Sequence, residues 1–299
     1  MLPSPRDVVI GASDMEHAEE FLTVFGFERA SAAKLPAGAA RALYGLDAET
    51  EELMMVVPGA ELGRLRLVAT PNPQRRFAPF DARPFAIDLF STDIEASVAL
   101  ATQHGYHSSP ITDHQFGPVQ IREVEITGPD RLIVTLLQPS VGRRPSVLDD
   151  NPDRLHSEVH AFVWSDTGID EPVEFWQGCG LKKSMDAVLE TPGMGALVGV
   201  PDEDVKLRLT VLDDTDANPI RVEFVEFLDK PSIPQPSLPL APGLHAPAFE
   251  VEDLEAARAT LGSAKFGEVV AVDTAIHPGT RAATAVSPQG HRFEIWAKG

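Results

Sequence analysis

Cysteine is nearly absent. Cys179 is the only one in 299 residues, so no disulfide can form within the chain and four-cysteine zinc sites are excluded. A reducing cytoplasm is the expected setting. Basic residues are scarce as well: 25 lysines and arginines face 45 aspartates and glutamates, a formal charge of −20. Such an excess repels polyanions, which argues against nucleic acid and anionic membrane surfaces as partners. No apolar run is long enough to cross a bilayer, and the opening residues MLPSPRDVVIGAS lack the basic start and apolar stretch of a secretion signal. Phosphate loop, nucleophile elbow and HExxH motifs are missing, so kinase, serine hydrolase and zincin chemistries lack their residues. Small molecules remain as partners, with homo-oligomerisation left open.

What is present is a repeat. One phrase, an apolar alternating run followed by an acidic or polar turn and a helical pattern, occurs four times: DVVIGASDMEHAEEFLTVFGF, FAIDLFSTDIEASVALATQHGY, VHAFVWSDTGIDEPVEFWQGCGL and APAFEVEDLEAARATLGSAKFGE. In the first copy Val8, Ile10 and Ala12 alternate with Asp7, Val9 and Gly11, the period of a half-buried strand. Ala18, Phe21, Leu22 and Phe25 then recur at helical spacing. A glycine-bearing turn and about three shorter strand-like runs follow each helix. The unit is βαβββ, and since one unit leaves a sheet face wet, units must pair.

Two proline-rich connectors, Gln138–Arg154 and Asp229–Gly243, punctuate the array. The length suits two domains. The expected division is a module pair over 1–140 and a second over 155–299. The fold class is α+β, with four βαβββ modules paired into two open β-sheet cups and helices outside.

The fourfold βαβββ unit, its SD or ED turn and the closing SPQGHRFEIW resemble the vicinal oxygen chelate superfamily. That superfamily includes glyoxalase I, bleomycin-resistance proteins, extradiol dioxygenases and certain sugar epimerases. The four-module length is most similar to the extradiol enzymes. The resemblance implies a cup in which a divalent ion (Fe, Mn, Zn or Ni) is held by histidines from first strands and glutamates from last strands. Open coordination positions then receive substrate oxygens.

Carried onto this chain, the first-strand position is Asp7 in the first copy and Ala86 in the second, while Arg66 and Val134 stand on the last strands, so the first half reads as metal-free. In the third copy His160 fits the ligand position if DTGID carries an extra turn residue. Strand parity sets His160, Phe162 and Trp164 towards the cup and Val159, Ala161 and Val163 towards a helix. In the fourth copy the counting gives Ala246, not its neighbour His245. His245 turns inward only if Pro247 marks a bulge. Glu294 in SPQGHRFE matches the ligand glutamate, and Glu223 is its counterpart in the third module. Metal candidates are therefore His160, Glu223, Glu294 and His245.

Two departures from the extradiol pattern stand out. Thr284 occupies the place of a tyrosine, and His277 in IHPGTRAATAV echoes the acid/base histidine. Glu250 and Asp88 share the ligand parity of their strands and are further acid/base candidates. The cluster Tyr106, His107 and His114 is close in sequence only. The resemblance implies metal-assisted transformation of a small oxygenated compound, aromatic ones included. The rival class is a metal-free binding or sequestration protein in which Phe162, Trp164, Ala246 and Trp296 line the ligand pocket.

Overall fold

The computed structural model describes residues 2–73, 78–116, 119–214, 220–230, 233–236 and 238–299. Pro231, Ser232 and Ser237 of the second connector lie outside the described residues. Four blocks follow one another. The first is β1 (Asp7–Ala12), α1 (Met15–Val24), β2 (Glu28–Leu35), α2 (Ala37–Tyr44), β3 (Thr50–Val56) and β4 (Arg64–Ala69). The second is β5 (Arg83–Ser91), α3 (Ile94–Gln103), β6 (His107–Ser108), β7 (Thr112–Phe116), β8 (Val119–Thr127) and β9 (Ile133–Pro139). After a short α4 (Val147–Asp150) comes the third: β10 (His156–Asp166), α5 (Asp170–Gly178), β11 (Lys182–Leu189), α6 (Met194–Leu197), β12 (Leu207–Asp213) and β13 (Arg221–Phe227). The last is β14 (Gly243–Glu250), α7 (Leu254–Thr260), β15 (Lys265–Phe266), β16 (Val270–Val272), β17 (Thr280–Val286) and β18 (Arg292–Lys298).

The acidic turn of the repeat has a local cause. Asp14, Asp93 and Asp253 are helix N-caps whose carboxylates accept from the backbone N–H of His17, Ala96, and Glu255 and Ala256 respectively, satisfying donors that a helix start leaves orphaned. The third copy differs: Ile169 is the cap of α5 and gives no side-chain bond.

The blocks pair differently from the expected order. One nine-stranded sheet joins β1–β4 to β14–β18 through antiparallel β1 and β14, and the other joins β5–β9 to β10–β13 through antiparallel β5 and β10. The first module thus pairs with the fourth and the second with the third, so neither 1–140 nor 155–299 forms a cup by itself. The reason lies in the core. Modules one and two, and modules three and four, meet through their helix-covered faces and not their strand edges: Phe21 of α1 packs edge-on against Tyr106 of the second module, and Trp176 of α5 packs against Phe249 and Phe293 of the fourth. One apolar cluster containing residues of all four modules fills the space between the helix-covered faces of the two sheets. The opposite faces are left as two cups. Among the described residues no helix is long and apolar enough to cross a membrane.

Candidate active-site cups

The two cups are lined by equivalent positions but filled differently. In the cup of modules one and four, α2 lies inside rather than outside. Its sequence AGAARALY is rich in the best helix former, Gly45 closes it at φ 66°, and Ala39, Ala40, Leu43 and Tyr44 pack with Val9, Ala248, Ala282 and Trp296. Beneath them lies a buried polar network, in which Glu52 Oε2, Arg66 Nε and Glu294 Oε1 have no hydrogen-bond partner among the described residues. Arg66 Nη2 donates to Glu294 Oε2 at 2.5 Å, and Arg66 Nη1 donates to Tyr44 Oη at 2.9 Å and to Glu52 Oε1 at 3.3 Å. Trp296 Nε1 donates to Glu294 Oε2 at 2.7 Å, the guanidinium lies over the Trp296 ring, and His277 stacks on that ring while reaching Glu52 at 3.3 Å. Burial opposes the charge on Arg66, yet Glu294, Tyr44 and Glu52 hold it firmly protonated. Burial would likewise raise Glu52, but His277 and Arg66 keep it below the usual carboxylate range.

Several expected site residues fall in this network or at its rim. Glu294, Trp296 and His277 are members of it, and Thr284 stands opposite Glu294 on β17. Glu250 is half-exposed at the end of β14 and pairs with Arg6. Ala246 faces the cup beside Val9. The register slips between Val9 and Ile10, leaving His245 as the extra residue of a bulge, and its ring comes to 6.1 Å from that of Tyr44. His245 is therefore turned inward, and the alanine also keeps its place.

The cup of modules two and three repeats that device. The register of β10 on β5 slips between Val159 and Ala161, and His160 is the extra residue. Its ring stacks on Phe90 at 3.8 Å and its Nδ1 accepts from Arg221 Nη2 at 3.1 Å, which leaves the ring proton on Nε2. Burial, then Arg221, holds His160 well below the usual histidine range, so it is neutral. The bulge also reverses the parity beyond it. Phe162 and Trp164 lie in the helix-side core while Val163 joins the cup cluster with Ala86 and Val225, the opposite of the expected facing. His160 and Glu294, expected to share a cavity, stand on different sheets.

This second cup is open inside. Here α6 has four residues where α2 has eight, and it leaves a cavity of about 120 Å³. Phe85, Val163, Met185, Leu207, Val225 and Phe227 form its apolar walls, and Asp88, Glu123, Glu125, Glu223, Thr135 and Arg221 its polar part. Arg221 Nη2 lies 3.0 Å from Glu223 Oε1, and His114 Nε2 lies 3.0 Å from Glu123 Oε2. Asp88 is 4% exposed, and its Oδ1 has no hydrogen-bond partner among the described residues. Burial, then Glu223 and Glu123, push Asp88 well above the usual aspartate range, and burial raises Glu223 and Glu125 too. Arg221 was missed in the sequence. Its signal is the pair Arg221 and Glu223 at alternate positions of one strand, which share a face.

The ligand positions implied by the resemblance can now be compared. In the open cup the register moves two of them by one residue from the expected places: the first strands hold Ala86 and Ala161, not His160, and the last hold Thr135, not Val134, together with Glu223, as the pairs Asp88 with Thr135 and Val163 with Glu223 show. In the filled cup they hold Asp7, which is ion-paired with Arg64, then Ala246, Arg66 and Glu294. Neither set is a nest of imidazoles and carboxylates fit for a divalent ion. Among the described residues no group of three histidine, cysteine or acidic side chains converges as a metal site.

No protein-family model and no curated protein sequence matches the chain. Solved structures do. Glyoxalase I from Zea mays superposes with a TM-score of 0.67 at 12% identity, over 98% of this chain and 92% of that one. A putative dioxygenase from Bacillus subtilis superposes with a TM-score of 0.63 at 12% identity, over 99% of this chain and 85% of that one. The chain has the glyoxalase fold, that of the vicinal oxygen chelate proteins.

Proposed function

We propose that the chain binds a small organic molecule in the cup of modules two and three, and that it does so without a resident divalent metal. One observation carries this reading: a buried carboxyl group, Asp88, keeps an oxygen without a hydrogen-bond partner among the described residues, in a cavity that joins apolar walls to a charged end. Such an atom costs stability in a protein with nothing to bind, and apolar walls with a few convergent polar groups describe a ligand site. The residues at the fold's ligand positions favour recognition over metal chemistry. Ala86, Ala161 and Thr135 supply no imidazole, Nδ1 of His160 is taken by Arg221, and that guanidinium brings positive charge to Glu223, the one glutamate in place. In the other cup Arg66 binds Glu294 directly, so that cup contributes stability and not a second site. The structural relatives named glyoxalase I and putative dioxygenase support small molecules as the class of ligand.

Calorimetry and thermal-shift measurements against a panel of small aromatic and aliphatic compounds, in buffer containing EDTA, test this. Binding should persist in the chelator and disappear when Val163→Trp fills the cavity, with Ala86→Leu as the milder filling variant. Binding or turnover that demands an added divalent ion would overturn the reading.

A further inference from the structure

The charges around the open cavity are unequal, and that inequality identifies the ligand's chemistry. Four carboxylates line it (Asp88, Glu123, Glu125 and Glu223), against one lining cation, Arg221. Three of the four are already answered. Glu223 has Arg221, Glu123 has His114, and Glu125 lies in the field of Arg83. Arg221 itself is committed on two sides, to Glu223 and to Nδ1 of His160. Asp88 has the Thr135 hydroxyl and lies in the field of Arg221, but its Oδ1 has no hydrogen-bond donor among the described residues, and the residue lines the cavity. With a neutral ligand Asp88 stays a protonated acid crowded by Glu223 and Glu123, an anion would add repulsion, and a cation is the partner that lets the carboxyl ionise. Among cations, a divalent metal needs several convergent donors at short range, which these side chains do not form. A cation attached to an apolar body satisfies both halves of the site: its charged nitrogen meets Asp88 while its body lies against Phe85, Val163, Met185 and Phe227.

We infer that the ligand of this cup is an organic cation, an amine or amidine protonated at neutral pH and borne on an apolar group. The inference rests on the proposed binding role of the cup and specifies what binds there. Asp88 is the anchoring residue, Thr135 orients its carboxylate, and the His160–Arg221–Glu223 chain fixes the neighbouring wall.

The test compares three probes of similar size and different charge, each titrated in EDTA buffer into the purified full-length protein: phenethylamine, 2-phenylethanol and phenylacetate. The amine should bind most tightly, and its affinity should fall roughly ten- to a hundredfold in Asp88→Asn, the loss expected for a charge-assisted hydrogen bond. Affinity for 2-phenylethanol should not fall in that variant. Asp88→Asn keeps the shape of the side chain, and circular dichroism checks that it folds. If the alcohol or the carboxylate binds in the cup as tightly as the amine, or Asp88→Asn leaves amine affinity unchanged, the cation inference falls while the binding role stands. If none of the three binds in a manner sensitive to Val163→Trp or Ala86→Leu, both fall. A separate titration with manganese or zinc alone that displaces bound amine through Asp88 would also overturn the organic-cation assignment.

Discussion

Arg66 and Glu294, 228 positions apart, meet at 2.5 Å with neither side chain exposed to solvent. They occupy equivalent positions on the last strands of modules one and four, so the residue at one of these positions is the counter-ion of the residue at the other. Truncating Arg66 would strand Glu294 and Glu52 as uncompensated buried charges. Arg66→Met should therefore cost about 3–5 kcal/mol, read as a lower midpoint in urea denaturation. Glu294→Gln, which leaves the guanidinium its bond to Glu52, should cost less.

The alanines at first-strand positions of the open cup predict a gain of function. Ala86→His together with Ala161→His places two imidazoles on the cup face beside Glu223, a donor set suited to nickel or zinc. Calorimetry with nickel should show one site in the double variant and none in the parent, and adding Glu223→Ala should weaken it. The corresponding single change Ala246→His in the filled cup should do little, because Arg66 already holds the positive charge there.

Two buried groups give stability opposite dependences on pH. Asp88, raised by burial, Glu223 and Glu123 and opposed by Arg221, keeps a proton when folded that the unfolded chain has released. The stability this brings is full below the unfolded pKa and is lost as pH rises through the folded one. Asp88→Asn should melt higher than the parent at about pH 8, and the gap should close towards about pH 4. Burial, and then Arg154, lowers His156 from 6.5 to about 4, so its contribution is present above its unfolded pKa and is lost as pH falls through the folded value. His156→Gln should flatten the melting profile in that acidic window.

Gly63 ties one sheet to the bulge of the other. It has φ 73°, its carbonyl accepts from Val159 N, and a side chain there would lie 2.6 Å from Val159 O. Gly63→Ala should cost more than the roughly 1–3 kcal/mol of left-handed strain. It should also shift the His160 ring, visible as a changed imidazole resonance in NMR.

Periodicity made the four modules legible. The run Val8, Ile10, Ala12 and the caps Asp14, Asp93 and Asp253 are local signals, and local geometry determines them. Parity was a weaker guide because bulges interrupt it: His160 faces the cup as expected, but only by occupying the extra position, and the same slip sends Phe162 and Trp164 to the core. His245 repeats the case, with Pro247 as its one visible sign. Which modules share a sheet had no local signature at all. That choice depends on Trp176 finding Phe249 and Phe293, and Phe21 finding Tyr106, contacts between segments that spacing alone does not connect.

The nesting of modules two and three between one and four has a consequence in time. During synthesis β1 emerges well before its sheet partner β14, which begins at Gly243, so the edge of the first module stays unpaired until modules two and three have been made. The inner sheet is complete once β13 has emerged and can form early, while the outer one has to wait. An exposed strand edge held that long invites wrong pairing, and the slow step of folding should be the closure of β1 on β14, a long-range pairing that sets Asp7 against Ala248.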